Sequence, residues 1–227
     1  MSDRPRIIAL IPARDEATTV TTTVRALRHI ADQVVVVDDG SIDRTASLAL
    51  QAGATVLRIP RNAGKGAAME GALLRLPPHP GVWLFADADL GTSALGLAAL
   101  LPPILEGRAD MTVGVFPKLT GGGLGTVKRF SAAGIKMLSG YRADEPLSGQ
   151  RALSAACLAA VRPLAGGFGM ETAMTIDAAR AGLRIAEVAV EGLTHRATGR
   201  GVGGFLHRGR EGLHIAGALS LRAVRLR

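Results

Sequence analysis

Apolar residues in the first half of the chain come in short unbroken blocks, and between the blocks they recur every three or four positions. RIIALIP (6–12), QVVVV (33–37), TVLRI (55–59), VWLFA (82–86) and MTVGVF (111–116) predict strands, the first of them buried. QVVVV is too continuous to be half exposed and predicts a strand covered on both faces. Between them, residues 16–30 place Val20, Val24, Leu27 and Ile30 at helical spacing, and 44–52, 65–76 and 92–106 also read as helices. The threonines at 18–19 and 21–23 weaken helix propensity in the first of these without erasing its pattern. Pro77-Pro78 closes the third. Strand and helix thus alternate over 116 residues, which predicts an α/β domain: a mostly parallel sheet flanked by helices.

Beyond residue 116 the rhythm changes. KLTGGGLGT (118–126) reads as a glycine-rich loop suited to closing over a substrate. Helical segments at 126–138, 153–161 and 171–181 follow, and RIAEVAV (184–190) predicts a last strand. Residues 203–225 set Phe205, Leu206, Leu213, Leu219 and Val224 among arginines, as an amphipathic helix would. The expected organisation is a single domain over 1–202, with halves 6–116 and 117–202, and a basic helical tail over 203–227. No apolar run approaches the ~18–20 residues that cross a bilayer, and MSDRPRIIALIP lacks a signal-peptide pattern. The expectation is a soluble cytoplasmic protein.

Composition adds two constraints. Aromatic residues are only 3% of the chain, so the core must be built from Ala, Val, Leu and Ile. The single cysteine, Cys157, excludes an internal disulfide and reads as a small buried hydrophobe. Charge changes the picture more. The net charge is +8, and from His195 onward seven arginines face one acid, Glu211. That points to one basic patch and an anionic partner: a phosphorylated small molecule, an anionic membrane surface or nucleic acid. No aromatic stacking set or DNA-binding motif accompanies the charge, so nucleic acid is not expected.

Two acidic strand ends carry the chemistry. VVVVDDGSIDRT (34–45) buries a strand and then places Asp38 and Asp39 where ligands of such sheets bind, outside the carboxyl ends of the strands. A turn explains Gly40 and one aspartate, not two. FADADL (85–90) places Asp87 and Asp89 on either side of small Ala88, and strand alternation points them the same way. Two such oxygen donors suit Mg²⁺ or Mn²⁺ and leave coordination positions for diphosphate oxygens. Asn62, Gly64 and Lys65 fall at a strand-to-helix turn, where small residues admit close approach and a lysine meets phosphate.

IPARDEATTV, VVVVDDGSIDRT, RNAGKGAAMEGAL and DADL, in this order and spacing, resemble the nucleotide-binding half of family-2 glycosyltransferases, inverting enzymes of the Rossmann-like GT-A fold. DEPLSGQRAL (144–153) resembles a segment of polyprenyl-phosphate sugar transferases such as dolichyl-phosphate mannose synthase. The resemblance implies a nucleotide-sugar site in which Pro12, Ala13, Arg14 and Glu16 line the base. Asp38, Asp39, Gly40 and Ser41 would lie against base and ribose, with Asp39 in direct contact, and Asn62, Gly64 and Lys65 near phosphate or ribose. Asp87, Ala88 and Asp89 would hold donor and metal, with His195 as a third metal ligand. On the acceptor side it implies Ser148, Gly149 and Gln150, with Arg151, Arg196 and Arg200 as phosphate-binding arginines. Glu171, within GFGMETAMTIDAARAGLRI (167–185), would be the base or an acceptor contact.

Arg14 departs from the neutral residue often found there, so a UDP- and a GDP-linked donor both stay open. Met170 and Thr172 stand where the family often has a second acid. The implied reaction moves a sugar to a lipid phosphate, with the basic tail docked peripherally on the inner face of the membrane; a soluble or diacylglycerol-type acceptor is the alternative. IPAR also begins some sugar nucleotidyltransferases, but their glycine-rich, arginine-bearing loop is missing after Ala13.

Overall fold

The valine block of 34–37 is fully inside, as its continuity requires: Val35, Val36 and Val37 have no exposed surface. A computed structural model describes residues 4–115, 125–192 and 215–223, apart from the side chain of Phe168. Seven strands form one sheet: β1 (Ile7–Ala13), β2 (Gln33–Asp39), β3 (Thr55–Ile59), β4 (Val82–Phe85), β5 (Met111–Val115), β6 (Arg151–Ser154) and β7 (Ile185–Ala189). Their order is β3-β2-β1-β4-β6-β5-β7. All pairs are parallel except those of β6, which runs antiparallel to both β4 and β5.

The buried apolar strand residues divide between two cores, as the period of two requires. Ile7, Ala9 and Ile11 pack with Val24, Leu27 and Leu97 on one face. Ile8 and Leu10 pack with Met69, Leu73, Phe85 and Met174 on the other. The first face is covered by α1 (Val20–Leu27), α2 (Thr45–Gln51), a 3₁₀ run over Gly91–Leu100 and α4 (Pro102–Leu105). The second is covered by α3 (Lys65–Arg75), α6 (Ala155–Val161) and α7 (Met170–Arg180). α5 (Gly125–Ser139) and the helical residues 215–223, here α8, pack against α7 around Ile135, Leu138, Ile176, Ile215 and Leu219.

Three expectations need correction. Residues 151–154, the first two unassigned and the others placed in a helix, form β6; α6 begins at Ala155, where Ser154 Oγ accepts a hydrogen bond from Cys157 N at 3.1 Å. Four residues that begin with an arginine show no readable alternation. The segment 92–106 is not one helix. Its small and glycine-bearing half is 3₁₀, and the prolines at 102 and 103 open a separate short helix, where a missing N–H costs nothing. The helix expected over 16–30 is confined to Val20–Leu27 because Glu16 O closes a turn on Thr19 N and Val20 N. Residues 118–124 of the glycine loop and 203–214 of the tail lie outside the described residues.

α8 is docked on the body. Arg222 is 5% exposed, its Nε donates to Asp177 at 2.8 Å, and its carbonyl accepts from Arg180 Nη1 at 2.9 Å. Among the described residues no helix is long and apolar enough to cross a membrane. Cys157 is fully buried, and burial pushes its thiol up to about 12. Native protein is therefore expected to react with a thiol reagent only as fast as it unfolds, and labelling that outpaces unfolding would contradict this packing.

Candidate active site

The crevice opens where β1, β2 and β4 end. Because β6 runs the other way, its beginning lies beside the end of β4, which brings residues 148–150 to the same edge. Each strand end is held by contacts the local sequence supplies. After β1, Asp15 takes a left-handed conformation (φ 54°) and its N donates to Ser41 Oγ at 3.0 Å. Glu16 N donates to Thr45 Oγ1 at 2.8 Å, and Ile42 N donates back to Asp15 Oδ1 at 2.9 Å. Pro12 and Ala13 end β1 itself, while the Arg14 side chain is half-exposed with Nε 3.7 Å from Asp15. Ser41 therefore joins the two loops.

The paired aspartates after β2 have different duties. Asp39 accepts from Ala63 N at 2.7 Å and Gly64 N at 2.9 Å, and so shapes the turn that starts α3. Asn62 Oδ1 also accepts from Gly64 N, at 3.0 Å. Gly40 makes this approach possible: its φ is 72°, and a Cβ there would lie 3.0 Å from Asn62 N. Asp38 is fully buried, and its Oδ1 accepts from Ser41 N at 3.1 Å. Its Oδ2 lies 3.1 Å from Arg58 Nε without hydrogen-bond alignment, and among the described residues it accepts no hydrogen bond. Asp38 Oδ2 thus keeps its full acceptor capacity, while each oxygen of Asp39, the expected direct contact, accepts one backbone N–H and keeps a second lone pair.

The centre of the crevice is a chain of charges. Lys65, first residue of α3, places Nζ 2.7 Å from Asp87 Oδ1 and 2.8 Å from Glu171 Oε1. Glu171 is in the first turn of α7 and its residue is 5% exposed. Asp87 is also held by Gln150, whose Nε2 donates to Oδ2 at 2.7 Å while its Oε1 accepts from Asp87 N at 3.1 Å. Burial works against the charge on Lys65, but the two carboxylates outweigh it and raise its pKa above the ordinary lysine value. Gly149 lies against the Lys65–Asp87 pair: a Cβ would come within 2.6 Å of Nζ and 2.9 Å of Asp87 Oδ2. Gly149→Ala is expected to weaken donor binding about tenfold while changing stability by less than about 1 kcal/mol, because only the mobile end of Lys65 and the carboxylate must shift. Titration calorimetry with nucleotide and a thermal melt measure the two.

Arg151 is not in the crevice. It is fully buried, with Nε donating to Ser148 O at 2.9 Å and Nη1 to Thr175 Oγ1 at 2.9 Å. A guanidinium enclosed this way cannot clamp a bound phosphate; it positions the 146–150 segment. Burial pulls its pKa down to about 10, partly offset by Glu171 and Glu187. Ser148 is buried beside it. His195, Arg196 and Arg200 lie outside the described residues. Thr23 is a site residue that sequence reasoning passed over. Its Oγ1 donates to Ala88 O and accepts from Gly91 N, both at 2.8 Å, and so fixes the D-A-D turn from α1. Its only trace in the sequence was that it falls inside a threonine run read as a weak helix.

Asp87 and Asp89 are half-buried on either side of Ala88. Among the described residues no group of three or more His, Cys, Asp and Glu side chains could hold a metal ion. Two hard oxygen donors at one strand end fit a divalent cation of the Mg²⁺ or Mn²⁺ kind, provided that a bound diphosphate supplies further oxygens.

Known proteins resemble this chain in sequence and in fold. In sequence, the chain is 30% identical over 187 aligned residues to glycosyltransferase AglJ of Haloferax volcanii, covering 78% of this chain and 60% of that protein. It is 30% identical over 200 aligned residues to glucosyl-3-phosphoglycerate synthase of Mycobacterium tuberculosis, covering 75% and 60%. The chain thus spans about 60% of the length of these relatives. In structure, it matches the M. tuberculosis synthase in complex with Mg²⁺ and UDP, with TM-score 0.80 and 26% identity, over 96% of this chain and 79% of that one. The same synthase in complex with Mn²⁺, UDP-glucose and phosphoglyceric acid matches with TM-score 0.80 and 25% identity, again over 96% and 79%. The sequence profile of Glycosyl transferase family 2 matches residues 8–153, from β1 through the 148–150 segment to β6, and this chain belongs to that family.

Proposed function

We propose that this chain transfers a sugar from a UDP-sugar to a hydroxyl of a small soluble acceptor that carries phosphate, with a divalent metal at Asp87 and Asp89. The observation that carries the reading is the position of Lys65 Nζ, within 2.8 Å of both the donor-side Asp87 and the acceptor-side Glu171. Donor and acceptor would meet across that one ammonium. The metal, when bound, neutralises charge that builds on the leaving diphosphate. Lys65 meets the same diphosphate, Thr23 and Gln150 hold the D-A-D turn and Asp87 in place, and Glu171 takes the proton from the acceptor hydroxyl. In-line attack with Glu171 as base inverts the anomeric carbon, as the family resemblance implies.

A soluble acceptor is supported by two observations. The matched synthase structure holds phosphoglyceric acid beside UDP-glucose. The apolar residues Ile215 and Leu219 of α8 are packed inward on α5 and α7, so they are not free for a bilayer. A polyprenyl phosphate at the inner membrane face is the second reading, favoured by the basic C-terminal stretch and by DEPLSGQRAL.

The test supplies UDP-glucose and GDP-mannose with Mn²⁺ and offers either 3-phosphoglycerate or polyprenyl phosphate in detergent. Product is identified by mass and its anomeric configuration by proton NMR. A glycosylated phosphoglycerate, with Glu171→Gln reducing its formation by about 10²-fold, is the expected result. A product only with polyprenyl phosphate, insensitive to Glu171→Gln, would replace this reading, since a phosphate acceptor is already anionic and needs no base.

A further inference from the structure

Asp87 is expected to ligate the metal, yet each of its carboxylate oxygens already has a donor: Lys65 Nζ on Oδ1 at 2.7 Å and Gln150 Nε2 on Oδ2 at 2.7 Å. Gln150 is fully buried, and because it also accepts from Asp87 N at 3.1 Å, it holds the carboxylate in one orientation. A metal ion on the remaining lone pair of either oxygen would lie within a few ångströms of the lysine ammonium. The lysine cannot simply stay where it is, because a monovalent and a divalent cation a few ångströms apart repel strongly in a site this enclosed. Its side chain is only 25% exposed, and the backbone of Gly149 lies against Nζ.

We propose that Lys65 is a resident cation that competes with the metal for Asp87 and releases it only when a nucleoside diphosphate arrives. This inference rests on the metal-dependent donor site proposed above. The diphosphate gives the ammonium a new anionic partner close to the old one, while the metal takes over the neutralisation of Asp87. Glu171, 2.8 Å from the same ammonium, keeps it anchored during the exchange. Gly149 is the positioning element that leaves room for the ammonium in its resting place, since a Cβ there would stand 2.6 Å from Nζ. The consequence is reciprocal coupling: metal raises nucleotide affinity and nucleotide raises metal affinity. Loss of the lysine then has two opposite effects. Metal alone binds more tightly, and the help that nucleotide binding gives to the metal is lost.

The experiment titrates the full chain with Mn²⁺ and follows the free ion by electron paramagnetic resonance, without and then with UDP. Lys65→Met is expected to bind Mn²⁺ alone about tenfold or more tightly than the wild type, while UDP binding in the presence of Mn²⁺ weakens. Lys65→Arg, which keeps the charge, should behave as the wild type does toward Mn²⁺ alone. Because Lys65→Met leaves Glu171 buried without its cation, the double variant Lys65→Met/Glu171→Gln is measured beside it and should show the same tightening. Mn²⁺ alone bound by Lys65→Met or by the double variant no more tightly than by the wild type would overturn the competition while leaving the donor site intact. Failure of the wild type to take up Mn²⁺ even with UDP would instead remove the metal-dependent reading on which the competition depends. In the Asp89→Ala background the tightening should vanish; if it persists, the ion is binding elsewhere and the proposal fails.

Discussion

Asp89→Ala is expected to reduce sugar transfer by about 10³-fold at saturating donor, with little change in stability. Among the described residues its carboxylate makes no hydrogen bond or ion pair, and Thr23 rather than Asp89 holds the adjacent turn. Alanine therefore removes a metal donor without removing a structural contact, and the melting free energy should move by less than about 0.5 kcal/mol. Steady-state rates with Mn²⁺, beside a denaturant melt of the same variant, separate the two effects. A variant that transfers sugar at the wild-type rate would exclude Asp89 as a metal ligand. One that unfolds would show that the D-A-D turn depends on the carboxylate after all.

Arg151→Met has the opposite profile. Replacing the guanidinium leaves Ser148 O and Thr175 Oγ1 without the donors that now reach them at 2.9 Å, inside a fully buried site. The expected loss is about 3–5 kcal/mol, typical of breaking a buried polar network rather than of trimming a surface residue. Transfer activity per folded molecule should fall less than stability does, because Arg151 acts on the crevice through the 146–150 segment. Urea melts and activity at low temperature test both parts. A large loss of activity in a protein of unchanged stability would return Arg151 to the crevice.

The contrast between these two residues shows what the sequence makes legible. Buried parallel strands announce themselves because both faces must be apolar, so QVVVV is placed nearly to the residue, and its acidic end identifies the crevice. TVLRI is also placed to the residue, although as the edge strand it is only partly buried. Side-chain partners across the sheet are not local, and no spacing rule reports them. SGQR reads alike whether Arg151 reaches a ligand or turns inward to Thr175 on α7; its register opposite Phe85 puts it on the face that α7 covers. The same applies to Lys65. A lysine at a helix start after Asn-Ala-Gly predicts a phosphate contact, but its ion pair with Glu171, 106 positions later, depends on how α7 approaches α3. Lone polar residues in helices are hardest of all, since Thr23 is distinguished from its neighbours only by being buried against Ala88 O and Gly91 N.

The reversed strand also sets the timing of assembly. During synthesis β1 to β4 can pair as soon as they emerge, but the outer edge of β4 waits for β6, whose first residue comes 66 positions after Phe85. At roughly 5–20 residues per second that is about 3–13 s with an apolar strand edge open on the ribosome. Val82, Trp83, Leu84 and Phe85 are the residues so exposed. Slow translation between 86 and 150 would prolong an aggregation hazard, and this interval is where a chaperone would shelter the nascent chain.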